Sequence, residues 1–300
     1  MSVISFSAKP LWWIAMVVCL VHLSCSGGTV LERIKSRGTM VVSHRATAIP
    51  FSYLDAQGKP VGYAVDICRK LVEAVRKKLN LKTLPIDFML VGHPDNISAI
   101  SEERVDLDCG PTTNNEERRK QVAFTVPHYI TGARIMVRRD SVFSELNSFA
   151  GHRLVSTKGS TSFKLIDRAN RNGLMGITLL EASDRMQAVV MLESGQADGF
   201  AMDDVLLYGV IAESKSPEKL KVVGKFLTIE PLAIMLPKTD ADFKALVDAE
   251  MKRLILGKEI VGIYEHWFMA PIPPNNTSLN LPANYLIKDF WKYPTDVVPF

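Results

Sequence analysis

Three hundred residues, 47% hydrophobic and 23% charged, suffice for one large globular domain or two of ordinary size. A formal charge of only +4, with basic residues interspersed among acids, gives no footing for nucleic acid. Four cysteines are too few for a disulfide scaffold in a chain of this length.

The chain opens with a single cation, Lys9, and the apolar run Leu11 to Leu23, which is short for a membrane span but fits the core of a signal peptide. Small residues at Ser24, Ser26, Gly27 and Gly28 suit cleavage. Residues 1–26 are therefore expected to be a signal peptide, and the mature protein to be periplasmic. Lipidation at Cys25 is the second reading; against it, His22 stands where lipoprotein sites usually carry leucine. Cleavage would leave Cys68 inside a helix and Cys109 at a strand end, expected as two buried thiols.

Thr29 to Arg37 reads as a short helix and Met40 to Ser43 as a strand that leaves His44 and Arg45 at its carboxyl end. From Asp66 the pattern is helical, with Cys68, Leu71, Val72, Val75 and Leu79 on one face. Ile86 to Val91 is a second strand and Asn96 to Glu103 a short helix. Val105 to Cys109 alternates into a third strand, which Gly110 and Pro111 are expected to stop; Thr112 to Asn115 would then cap a helix carrying Arg118. At such a junction free backbone N–H groups, the Thr113 hydroxyl and a guanidinium one turn into the helix form a seat for a small anion. A plain helix cap with a solvated arginine is the competing reading.

Ala133 to Arg138 reads as a strand that leaves this series and begins another. Arg153 to Ser156 is a strand, Thr157 to Ser162 a small-residue turn, and Phe163 to Asn170 a helix, so the anion-seat chemistry recurs at Thr157, Ser160 and Thr161. Arg185 opens the next helix after Asp184. Asp198 to Met202 then delivers Asp203 and Asp204 to a strand end, where one acid is expected to cap the following helix and the other to meet an ammonium. After a strand at Val222 and an extended apolar segment at Leu232 to Leu236, helices run from Asp240 through Trp267, and from Pro271 a Pro- and Asn-rich tail is expected over the first lobe.

Alternating strands and helices in two series imply an α/β protein of two mostly parallel, helix-flanked sheets, joined by crossings near Tyr129 to Arg134 and Ile229 to Leu236. The expected organisation is 29–131 in a first lobe, 132–234 in a second, and 235–300 returning to the first. Ligands of such sheets lie at the carboxyl ends of the strands. No metal spacing stands out and no cofactor is expected. Glu230 and the Asp203–Asp204 pair are available for acid–base chemistry, but no nucleophile–base constellation stands out, so an exported enzyme on this scaffold, dehydratase-like, is the runner-up.

Several spaced segments resemble exported solute-binding proteins of amino-acid ABC transporters (solute-binding protein family 3), above all the glutamate/aspartate-binding members. They are His44-Arg45 with Pro50-Phe51-Ser52-Tyr53, Cys109-Gly110 with Thr112-Thr113-Asn114-Asn115 and Glu117-Arg118, Leu192-Glu193-Ser194-Gly195, Met202-Asp203-Asp204, and Trp267 with Pro271-Ile272-Pro273-Pro274. The resemblance implies a type II periplasmic-binding-protein-like fold of two lobes, a binder and not an enzyme, that closes on one amino acid and is read by an inner-membrane permease as a monomer. It implies that Arg118 pairs with the α-carboxylate, aided by Thr113, Ser160 and Thr157, that Asp203 takes the α-ammonium, and that Arg45 reaches a side-chain carboxylate. This chain departs from that pattern where the relatives place serine and arginine, having His93 and Asn96, and where they place histidine, having Arg185. Pro111 replaces a serine, and Ile234 stands where some relatives carry a second cysteine. The alternative ligand is an amide or basic amino acid.

Overall fold

Thr29 opens helix α1 (Val30–Arg37) with a reciprocal cap: its Oγ1 accepts from the Glu32 backbone N–H at 3.2 Å, and Glu32 Oε2 accepts from the Thr29 N–H at 2.8 Å. The computed structural model describes residues 28–173 and 175–297; the expected signal segment, with Cys25, lies outside them. Among the described residues no helix is long and apolar enough to cross a membrane.

After α1 come β1 (Met40–His44), a small antiparallel sheet of β2 (Thr47–Ala48), β3 (Ser52–Leu54) and β4 (Pro60–Val61), and helix α2 (Tyr63–Lys78). Helix α2 starts at Tyr63 rather than Asp66, because the buried Tyr63 anchors its first turn: its N–H donates to Pro50 O at 2.8 Å and its hydroxyl to His128 O at 2.9 Å. The apolar stripe of α2 faces the sheet. Then follow β5 (Ile86–Leu90), α3 (Asn96–Ser101), β6 (Leu107–Thr113), α4 (Glu116–Arg119), β7 (Ala123–Phe124) and β8 (Tyr129–Thr131).

The second series comprises β9 (Ala133–Arg138), β10 (Arg153–Thr157), α5 (Thr161–Gly173), β11 (Thr178–Ala182), α6 (Arg185–Glu193), β12 (Gly199–Asp203), α7 (Asp204–Glu213) and β13 (Leu220–Val223). The chain returns through β14 (Glu230–Leu236) to α8 (Ala241–Leu256), α9 (Glu259–Phe268) and α10 (Tyr285–Phe290).

Two main sheets result. The first has the order β5-β1-β6-β14-β7 with β8 also on β14; the second has the order β11-β10-β12-β9-β13. Strand β1 runs parallel to β5 and β6, and β10 parallel to β11 and β12, while β14 and β9 are antiparallel to their neighbours. Gly132 is the first passage between sheets, and residues 224–229 are the second. All of β14 is buried in the first sheet, so the return expected at residue 235 falls inside that strand. The tail lies against the same body: Asn284 Nδ2 donates to Ile130 O at 3.3 Å, and Tyr53 hydroxyl donates to Pro273 O at 2.8 Å.

Three local expectations are corrected. Gly110 and Pro111 do not stop β6, which continues to Thr113 by pairing Thr112 and Thr113 with Ala233 and Leu232. Past Asp108 the β1 side of β6 is unpaired, so the N–H that proline lacks is not needed there. Helix α4 consequently starts at Glu116 under the cap of Asn115, whose Oδ1 accepts from Arg118 N at 3.0 Å, and Thr112 and Thr113 remain strand residues. Cys68 and Cys109 are not free thiols but a disulfide joining α2 to β6, with Cα atoms 6.3 Å apart. Cys68 lies on the sheet-facing stripe of α2, which brings the two sulfurs together.

Candidate ligand-binding site

Strand ends of both sheets open onto one cavity of about 410 Å³. Its wall includes all ten residues singled out in the sequence: Arg45, His93, Asn96, Thr113 and Arg118 from the first sheet's side, and Thr157, Ser160, Thr161, Arg185 and Asp203 from the second's. The sides touch directly. Arg185 Nη1 donates to Thr47 O at 2.6 Å, and Lys164 Nζ holds Glu117 at 2.6 Å.

Arg118 is 9% exposed and has no carboxylate within ion-pair distance among the described residues. Its Nη1 donates to Thr113 O at 2.9 Å, which fixes the guanidinium at the end of β6. Burial pulls its pKa below the ordinary arginine value, against the fields of Glu230 and Asp203. A buried cation without a counter-ion is costly, and an incoming carboxylate removes that cost.

Across the cavity, Asp203 is 7% exposed, and no hydrogen bond or ion pair is made to its carboxylate by the described residues. Burial first, then Glu230 and Asp204, push its pKa well above the carboxylate range. Neither acid of the doublet caps α7 through its side chain, contrary to the sequence expectation. Asp204 instead accepts from the Thr131 hydroxyl at 2.6 Å, tying α7 to the first passage and leaving Asp203 to the cavity.

Ser160 caps α5, its Oγ accepting from Phe163 N at 3.0 Å, so the helix begins at Thr161 with its amino end towards the cavity. Thr157 Oγ1, His93 Nε2, Asn96 Oδ1 and Arg185 Nε are buried without a hydrogen-bond partner. All four belong to residues of the cavity wall. Buried polar atoms are normally paired, so this ring of orphans marks where a polar ligand fits. Burial lowers the pKa of His93, helped by Arg118, and lowers that of Arg185 to about 10.

Arg45 stands in the wall but is already committed. Nη1 and Nη2 bind Asp108 Oδ1 and Oδ2 at 2.7 and 2.8 Å, and Nη1 also donates to Val91 O at 2.9 Å. Gly110 permits this arrangement, since a Cβ there would lie 2.7 Å from Arg45 Nη2. Asp108 was not foreseen as part of the site. Its signal was the Asp106-Leu107-Asp108 alternation on a buried strand, where an acid needs a partner. Thr47 and Thr112 were missed as well, both being ordinary in sequence.

An unpaired buried cation and an unpaired buried carboxylate, held by two different sheets on one cavity, form a two-sided receptor for a small zwitterion. Residues 40–270 match the bacterial extracellular solute-binding proteins, family 3, and the chain belongs to that family. It is 40% identical over 267 residues to an L-glutamate/L-aspartate-binding protein of Pseudomonas aeruginosa, covering 89% of this chain and 88% of that one. It is 35% identical over 271 residues to the glutamate/aspartate import solute-binding protein of Escherichia coli, covering 90% of each. The solved structure of a holo arginine-binding protein from T. maritima shares the fold, with a TM-score of 0.67 at 24% identity over 79% of this chain and 98% of that one.

Proposed function

We propose that this protein is the extracytoplasmic binding component of an amino-acid ABC importer and captures glutamate or aspartate between its two sheets. The observation that carries this reading is the pairing of unpartnered groups, Arg118 with Asp203, which match the α-carboxylate and α-ammonium of an amino acid. Thr113, Thr157, Ser160 and the amino end of α5 add donors to the carboxylate.

The acidic side chain follows from charge. Arg45 is neutralised by Asp108, and Asp184 is exposed and caps α6 through a 2.9 Å bond from Gln187 N. Arg118 and Arg185 are then the wall arginines with no ion pair to a carboxylate among the described residues, with Glu230 and Glu213 acting on them from behind the wall, so each can take a ligand carboxylate. An acidic amino acid carries the two carboxylates that such a pair can hold. Arg185 then takes the side-chain carboxylate that sequence resemblance had assigned to Arg45. The relatives named above are glutamate/aspartate binders and not enzymes. Asp204 is engaged with Thr131 and Glu230 is outside the wall, which supports binding over catalysis.

In this reading 29–131 with 230–300 forms one lobe and 132–229 the other, the boundary lying at the start of β14 rather than at residue 235. They close on the ligand as a monomer in the periplasm, and the closed form is read by the permease. Small-angle scattering tests the closure. Glutamate added to ligand-stripped protein should reduce the radius of gyration, and bound glutamate with no change in dimensions would count against closure.

A further inference from the structure

The hydrogen-bond chain behind the cavity wall has a fixed direction. Asp108 accepts from both terminal nitrogens of Arg45 and from the Ser43 hydroxyl, so its carboxylate oxygens act here as acceptors. Thr112 Oγ1 lies 3.2 Å from Asp108 Oδ2, and its single hydrogen is therefore directed there. Asn96 lies 3.2 Å from the same Thr112 oxygen, which has only lone pairs left, so the NH₂ end of Asn96 must face Thr112. Asn96 Oδ1 is left at the other end, in a side chain 1% exposed, buried and without a partner on a residue of the cavity wall.

An orphaned carbonyl oxygen calls for a ligand atom that carries hydrogen. A side-chain carboxylate carries none at neutral pH, whereas a primary amide carries two. The amide's oxygen has its own complement in the orphaned Nε–H of Arg185, from the opposite side of the cavity. We propose that the site takes the side-chain amides glutamine and asparagine as a second ligand class beside the acids, with Asn96 reading the amide N–H and Arg185 the oxygen. The acids use the same Arg185, and the neutral imidazole of His93 supplies an N–H to their second oxygen. This inference rests on the amino-acid-binding reading for its contacts at Arg118 and Asp203.

The test is isothermal titration of the ligand-stripped protein with glutamate, aspartate, glutamine and asparagine, repeated on Asn96→Leu and Thr112→Val. At least one amide should bind within about a hundredfold of its acid in the unaltered protein. Asn96→Leu should weaken that amide at least about tenfold more than the acid, because it removes the acceptor. Thr112→Val leaves Asn96 in place but frees its amide to turn, and should move the preference the same way. Acids binding with every amide weaker than that limit, or equal losses for both classes in the two variants, would overturn the inference and leave the acidic reading standing; His93 would then be the donor to Asn96 Oδ1. No binding of any of the four would remove the amino-acid reading itself.

Discussion

Arg45 and Asp108 form a two-pronged ion pair, Nη1 to Oδ1 at 2.7 Å and Nη2 to Oδ2 at 2.8 Å, with the Asp108 side chain wholly buried. Removing one member strands the other. Arg45→Ala or Asp108→Asn should each lower unfolding stability by about 3–5 kcal/mol. The double replacement Arg45→Met with Asp108→Leu should cost less than the sum. Urea unfolding measures all three, and a single-variant loss well under 1 kcal/mol would contradict the pairing.

Asp203 gives the binding a pH dependence of definite sign. Its pKa is raised in the folded protein, so the stability it contributes is full below the ordinary carboxylate pKa and is lost as pH rises through the raised value. An ammonium favours the ionised form, so binding expels the proton and affinity should rise with pH across that window. Titrations at mildly acidic pH, in buffers of different ionisation enthalpy, should show proton release. Asp203→Asn should weaken binding and abolish the release.

The proposed closure should depend on a position outside the cavity wall. A Cβ on Gly209 of α7 would lie 2.3 Å from Ile49 O, on the far side of the passage. Gly209→Ala should therefore hold the two sides apart and weaken glutamate binding at least about tenfold, with a larger radius of gyration in saturating ligand. Unchanged affinity and dimensions would show that this contact does not limit closure.

The order of elements was readable because helix and strand periods are local properties. So were the strand-end positions of Arg45, Thr157 and Asp203, whereas Thr113, expected in a helix cap, reaches the same wall as a strand residue. What escaped the sequence were relations between distant segments. Pairing with β14 carried β6 through Gly110 and Pro111, where local rules end a strand. Asp108 lies 63 positions from Arg45, and nothing local says which buried acid meets which cation. The helical phase of Cys68 was readable, but that its face meets Cys109 depends on how α2 packs on the sheet.

That disulfide closes a separation of 41 residues and ties α2 to the strand bearing Thr112 and Thr113. Replacing both cysteines by serine should lower stability by about 4 kcal/mol on the chain-entropy account. Denaturant unfolding of the variant checks this, and equal midpoints would contradict it.

The most direct test of the central claim is isothermal titration of ligand-stripped protein with glutamate and with aspartate, for the unaltered chain and for Arg118→Ala. The account predicts tight one-to-one binding of at least one of them and a loss of at least about a hundredfold in the variant, with no loss of thermal stability because the removed cation had no counter-ion. Absence of binding to either acid, or undiminished affinity in Arg118→Ala, would contradict it.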